Sequence, residues 1–183
     1  MNSVFQQLFN CIQFRDLLFQ EEGKQETIEK VDDNGKSQIF NIFVNMLFGK
    51  KGYIDTNDFC RTFKGWGKQL INTHEQQDAV EFMILFLDQL PEDLQRPFKG
   101  TFIHKITDVN DSYCSSNEEN FFALSIDIKH FTTIEESFNS FLKYELFTGE
   151  NQIFSDTLGT KIDAKKYTRI KVAPPNLVLH LKR

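Results

Sequence analysis

Three polar residues at the head of an apolar run are the first candidates for chemistry: Gln77, Asp78 and Glu81. A carboxylate in the first turn of a helix offsets the positive end of its dipole. The same carboxylate, carried on a strip that faces outward, offers charge and hydrogen-bond acceptors to a partner. The three cysteines, Cys11, Cys60 and Cys114, are widely and irregularly spaced, with no disulfide framework and no CxxC pair among them. Cys11 stands among apolar neighbours and reads as a buried structural thiol, and Cys60 as a packing residue. The four histidines read as structural or surface residues. His74 falls in the first turn of the apolar helix, His104 and His130 at strand ends, and His180 within the last strand. No catalytic residue is assigned to this chain.

The element that must position Gln77, Asp78 and Glu81 is the stretch Thr73–Leu90, THEQQDAVEFMILFLDQL. It reads as one long helix. Thr73 caps the first turn, Gln76 returns the bond in a capping box, and Pro91 closes it. Ala79, Val80, Phe82, Met83, Ile84, Leu85, Phe86, Leu87 and Leu90 make it apolar on most faces, the mark of a core helix. It is too short and too interrupted to span a bilayer. Gln77, Glu81 and Asp88, at i, i+4 and i+11, leave one polar line.

At 183 residues, the chain has material for one sizeable domain or a large part of one. Apolar residues at 40% and charged residues at 26% are the balance of a soluble globular protein, and twenty phenylalanines promise an aromatic core. A net charge of −5 without a Lys/Arg cluster argues against nucleic acid and anionic membranes. Cysteine usage fits a reducing compartment, and neither a signal peptide nor a membrane-length apolar run is visible. The expected setting is cytoplasmic or nuclear.

Around the central helix the pattern divides into a helical half and a strand-rich half. Asn2 or Ser3 caps a first helix with Val4, Phe5, Leu8, Phe9 and Ile12 on its apolar face, and an apolar segment from Phe14 to Phe19 follows. Glu21–Lys36 reads as a surface loop. Ser37–Phe48 is an amphipathic helix with Ile39, Phe40, Phe43, Met46 and Leu47 inward. Thr56–Phe63 is a short helix capped by Thr56, and Gly65-Trp66-Gly67 a loop, with Trp66 either core or contact. Beyond Phe98, a strand over Thr101–Thr107 precedes a turn-rich Asp108–Asn120. Phe121–Ile128 then alternates as a half-buried strand. Thr132-Thr133-Ile134-Glu135 reads as a second capping box. Its helix carries Ile134, Phe138, Phe141 and Leu142 on one face. Tyr167–Val172 and Leu177–Lys182 are further strands.

Gln76-Gln77-Asp78-Ala79-Val80-Glu81-Phe82 resembles the QQDAxEF signature of the ubiquitin-specific proteases, the cysteine deubiquitinases. Met1-Asn2-Ser3, Gln7-Leu8 and Phe14-Arg15 resemble the residues that follow that family's catalytic cysteine. Leu124-Ser125-Ile126, Glu136-Ser137-Phe138, Gly149-Glu150-Asn151, Asp163-Ala164-x-Lys166 and Pro174-Pro175-Asn176-Leu177 follow in family order, ending on Leu179-His180-Leu181-Lys182-Arg183. The resemblance covers the whole chain, loosely over Glu21–Leu70.

What the resemblance implies is an α+β fold, a truncated papain-like thumb–palm–fingers deubiquitinase fold. Its N-terminal half is helical and its C-terminal half antiparallel β. One partial catalytic domain would fill residues 1–183, with 1–90 the helical thumb and 98–183 the fingers and part of the palm. In the family's register the nucleophilic cysteine falls before Met1, and the histidine base with its orienter beyond Arg183. The 183 residues are therefore expected to be inactive by themselves. The zinc-holding CxxC pairs of many members fall here on Thr107 and Asn110, and on Ser155 and Leu158, none of which replaces a thiolate. No cofactor and no zinc are expected. The partner implied is ubiquitin or ubiquitinated proteins, with no nucleic acid and no membrane. Gln77, Asp78 and Glu81 would line the cleft for ubiquitin's arginine-bearing tail. Two plainer roles stay open: Asp78 serves the helix dipole, and Glu81 satisfies a buried backbone group. The alternative function is a non-catalytic ubiquitin-binding or scaffold protein derived from the fold. The last strand, Leu177–Arg183, is expected to lack partners.

Overall fold

A computed structural model describes residues 1–23, 36–65, 69–73, 75–108, 114–155 and 158–182. The Glu21–Lys36 loop reading, and those for Trp66, His74 and Asn110, fall wholly or largely outside the described residues. The chain forms two compact units, Met1–Pro97 and Phe98–Arg183.

The first unit is helical: α1 (Asn2–Asn10), α2 (Ile12–Gly23), α3 (Lys36–Phe48), α4 (Asn57–Thr62), α5 (Ala79–Asp88) and α6 (Glu92–Gln95). Val4, Phe5 and Leu8 of α1 are buried, as their 3–4 spacing requires. Met1 is the cap residue, and no side chain caps α1. Ile12 departs from the expected face and is 63% exposed. Cys11 is extended (φ −77°, ψ 99°), which breaks the helix after Asn10 and resets the period, so Ile12 opens α2 on the outside. In α3 the inward stripe is Ile39, Ile42 and Phe43, while Leu47 and Phe48 in the last turn are exposed. Phe9 and Phe14 both meet Phe43 edge-on, at 5.3 and 6.2 Å between ring centres. Thr56 stands at the cap of α4 without a side-chain bond, and the Asp55 carboxylate accepts the Asn57 amide instead (2.9 Å).

The second unit holds β1 (Gly100–Asp108), β2 (Cys114–Phe121), β3 (Ala123–Asp127), α7 (Ile134–Phe141), β4 (Glu145–Phe147), β5 (Ile153–Ser155), β6 (Thr160–Ile162), β7 (Ala164–Val172) and β8 (Val178–Lys182). Four strands form an antiparallel sheet in the order β2-β1-β7-β4, and β5 and β6 form an antiparallel hairpin. β3 and β8 pair parallel, from Ala123 opposite Val178 to Asp127 opposite Lys182. The strand half is thus mixed, and the last strand has β3 as its neighbour where none was expected. Sequence spacing alone carries no information on that pairing, since the two strands lie over fifty residues apart.

The Asp108–Asn120 stretch, expected to be turn-rich, contains β2. It runs along one edge of the sheet and residues 115–120 are exposed, so it has no buried face to write an apolar alternation. The ladder to β1 holds it. His104, expected at a strand end, sits mid-strand in β1. In β3 the alternation holds: Leu124 and Ile126 are buried and Asp127 is exposed. Beside them Phe121 and Phe122 are buried, and the Phe121 ring stacks on Phe102 at 3.8 Å. That ring passes over Gly100, where an added Cβ would lie 2.4 Å from it. The capping box of α7 is shifted by one residue. Thr133 is the cap and accepts the Glu136 amide (3.2 Å), while the Glu136 carboxylate accepts from the Thr132 amide and hydroxyl (both 2.9 Å).

Candidate functional site

Helix α5 carries the site, and its start explains the geometry. The helix begins at Ala79 and not in the turn after Thr73. Asp78 is the cap: its Oδ1 accepts the amides of Val80 (2.7 Å) and Glu81 (3.0 Å). A charged acceptor immediately before the apolar run outcompetes a threonine farther back. Thr73 and residues 75–77 are polar and exposed, so extra turns there would bury nothing.

From Ala79 the apolar residues hold the helix down. Phe82, Met83, Leu85, Phe86 and Leu87 are buried. Phe82 and Phe86 stack on each other at 6.2 Å, and Phe5, Phe59 and Phe63 close around them at 5.8–6.3 Å. Such pairs add about 0.5–1.5 kcal/mol each beyond the area they bury. At the far end Gln89 caps the helix, and its Nε2 donates to the Lys64 carbonyl (3.0 Å). The rod is therefore fixed in rotation, which fixes what its other side presents.

Gln77, Asp78 and Glu81 are all exposed and lie together at the N-terminal end of α5, and Asp88 continues the exposed line about two turns farther on. Gln77 precedes the cap, so it belongs to the entering chain and not to the helix. Asp78 does the dipole's work and faces outward at once. Its anionic charge, the Glu81 charge and the Gln77 carboxamide form an edge suited to a guanidinium.

Two of the cysteines, Cys11 and Cys60, belong to the helical unit. The Cys11 amide closes α1 on the Gln7 and Leu8 carbonyls, with its side chain half-buried. The Cys60 thiol meets the Met1 thioether at 3.8 Å. Of the positions that correspond to zinc ligands, Thr107 and Ser155 are buried and Leu158 is 54% exposed. The Ser155 hydroxyl accepts the Leu158 amide (3.3 Å), and the Gly159 amide donates to the Ser155 carbonyl (2.8 Å), with Gly159 at φ 65°. Ser155 is thus tied by hydrogen bonds to Leu158 and Gly159. Among the described residues no group of three or more His, Cys, Asp or Glu side chains converges as metal ligands. No helix among them is long and apolar enough to cross a membrane.

Three contacts of two histidines were not legible in the sequence. His104 places Nδ1 2.9 Å from the Thr168 hydroxyl and Nε2 3.1 Å from the Glu119 carboxylate. His180 Nδ1 lies 3.2 Å from the Ser125 hydroxyl. His104, Thr168 and Ser125 help line a cavity of about 420 Å³ that Phe141 and Tyr167 also border. Cross-strand register creates these contacts, and no local motif announces it.

The sequence matches the family described as ubiquitin carboxyl-terminal hydrolase over residues 1–183. Human ubiquitin carboxyl-terminal hydrolase 24 is 30% identical over 201 aligned residues, which cover all of this chain and 7% of that protein. Ubiquitin carboxyl-terminal hydrolase 26 of Arabidopsis thaliana and ubiquitin carboxyl-terminal hydrolase 5 of Schizosaccharomyces pombe are each 28% identical, covering all of this chain and 17% of those proteins. The chain spans less than a fifth of the length of these relatives. With the central-helix signature carried on an exposed edge and the match running from end to end, the chain belongs to the ubiquitin carboxyl-terminal hydrolase family.

Proposed function

We propose that this chain supplies the ubiquitin-gripping wall of a thiol-dependent deubiquitinase. The observation that carries the reading is the joint exposure of Gln77, Asp78 and Glu81 at the anchored end of α5. An extended, arginine-bearing peptide end laid along that edge finds two carboxylates and a carboxamide. Charge-assisted pairs of that kind are the strong ones. In the complete enzyme a cysteine thiolate attacks the carbonyl carbon of ubiquitin's last glycine and the amine of the modified lysine departs. Water then hydrolyses the thioester, returning the thiolate and a free ubiquitin carboxylate.

The 183 residues by themselves bind without turning over. Supporting this, Cys60 rests against a thioether and Cys11 sits at a helix end. A neighbouring base is what a nucleophilic thiol requires. Isotope-labelled ubiquitin titrated with the purified chain is expected to shift at its C-terminal arginines. A fluorogenic substrate on ubiquitin's C-terminus is expected to stay intact. Unperturbed ubiquitin resonances would remove the binding claim, and release of the fluorophore the claim of inactivity.

A further inference from the structure

We infer that the face of the four-stranded sheet bearing Lys105, Lys165, Arg169 and Lys171 docks an extended acidic segment of a protein partner. Side chains alternate across a strand, so the ladder sorts them by register. Lys105 pairs with Ser116 on one side and Tyr167 on the other, and Thr107 with Lys165. Tyr167, Lys165 and Arg169 therefore share the Lys105 face. The register shifts between Thr101 and Phe102, which leaves Lys171 on this face as well. Its ammonium pairs there with the Glu118 carboxylate. Four cations thus meet one carboxylate. On the opposite face the balance reverses, with Asp108, Glu119 and Glu145 beside Lys166 and His104.

The cationic face is open at its Arg169 and Lys171 end, while Thr107, opposite Lys165, is buried. Arg169 and Lys171 are exposed, and Lys105 and Lys165 are half-exposed. Tyrosine rings prop two of the cations, Arg169 over Tyr167 at 5.0 Å and Lys165 over Tyr144 at 5.9 Å. Arg169 also donates to the carbonyls of Leu142 and Thr168. Its charge is thereby held in place, since a carbonyl does not neutralise a guanidinium.

The pattern selects the occupant's form. Same-face residues of a strand recur about every 7 Å, and on β7 Lys165 and Arg169 stand two repeats apart with Tyr167 between them, while Lys171 follows the register shift. An extended peptide that carries two acidic residues four positions apart meets Lys165 and Arg169 and lays the side chain between them over Tyr167. The charge complementarity is local, because the whole chain is net −5 and offers long-range repulsion to a polyanion such as nucleic acid. This inference does not depend on the ubiquitin reading.

The test is a fluorescein-labelled peptide alternating glutamate and serine, long enough to span β7, titrated at low ionic strength. Wild-type chain is expected to bind, more weakly as salt rises. The double variant Lys105→Glu/Lys165→Glu is expected to bind about tenfold more weakly or worse. Lys50→Glu/Lys129→Glu, exposed lysines elsewhere, is expected to leave affinity unchanged. Lys105→Gln/Lys165→Gln, checked by circular dichroism, guards against misfolding and should weaken binding in the same direction. Absence of binding, equal losses in both charge-reversal variants, or a single-stranded oligonucleotide binding the same lysines as tightly would each overturn the inference.

Discussion

The carboxylate of Asp78 accepts the backbone amide of Glu81 at 3.0 Å, so one acidic residue holds the next in position. The two anionic side chains at the head of α5 are therefore not independent. Removing the first loosens the turn that carries the second.

That coupling separates two roles of Asp78. Asparagine caps a helix about as well as aspartate, whereas alanine costs about 0.5–2 kcal/mol. Asp78→Asn is expected to keep the melting temperature and lose affinity for ubiquitin, while Asp78→Ala loses both. Thermal melts beside a ubiquitin titration decide the matter. Unchanged binding by Asp78→Asn would leave the residue only its capping role.

Phe86 is fully buried and meets Phe5, Phe59, Phe63 and Phe82. Phe86→Ala should destabilise the helical unit by about 3–5 kcal/mol. Urea unfolding followed by a probe in that unit measures it. A loss under about 1 kcal/mol would mean that the aromatic cluster does not anchor α5.

Gly100 has no room for a methyl group, since a Cβ there would meet the Phe121 ring at 2.4 and 2.6 Å and Pro174 at 2.9 Å. Gly100→Ala is expected to cost about 1–3 kcal/mol through displacement of the ring. The double variant Gly100→Ala/Phe121→Leu should recover part of the loss. A single variant as stable as wild type would show that the ring moves aside freely.

Glu136 is held below the ordinary carboxylate range, first by the Thr132 amide and then by the Thr132 hydroxyl. Its pKa is lower folded than unfolded, so the unfolded chain binds more protons in the intervening window. The stability it contributes is present above the ordinary glutamate value of 4.5 and is lost as pH falls through the lowered one. Glu136→Gln is expected to flatten the pH dependence of stability in that window and leave it unchanged near neutrality. Melts recorded from neutral pH downward give the comparison, and parallel curves for the two proteins would contradict it.

Much of this was written locally. The burial of Phe82, Leu85 and Phe86 follows from an apolar run at helical spacing, and that of Leu124 and Ile126 from alternation. Both are properties of neighbours in the chain. The polar edge of α5 was legible for the same reason. Its start was not, because Thr73 and Asp78 are both competent caps, and only packing decides how many turns are worth forming.

The order of motifs along the chain, by itself, determined the family and the identity of the three candidate residues, since both depend only on residue type and spacing. Tertiary structure alone decided the parallel pairing of β3 with β8, the contact of His104 with Glu119, and the gathering of Lys105 with Lys165 and Arg169 on one sheet face. Each of these depends on strand register between segments far apart in sequence. A shift of one residue would turn every side chain to the opposite face, and nothing in either segment alone specifies that choice.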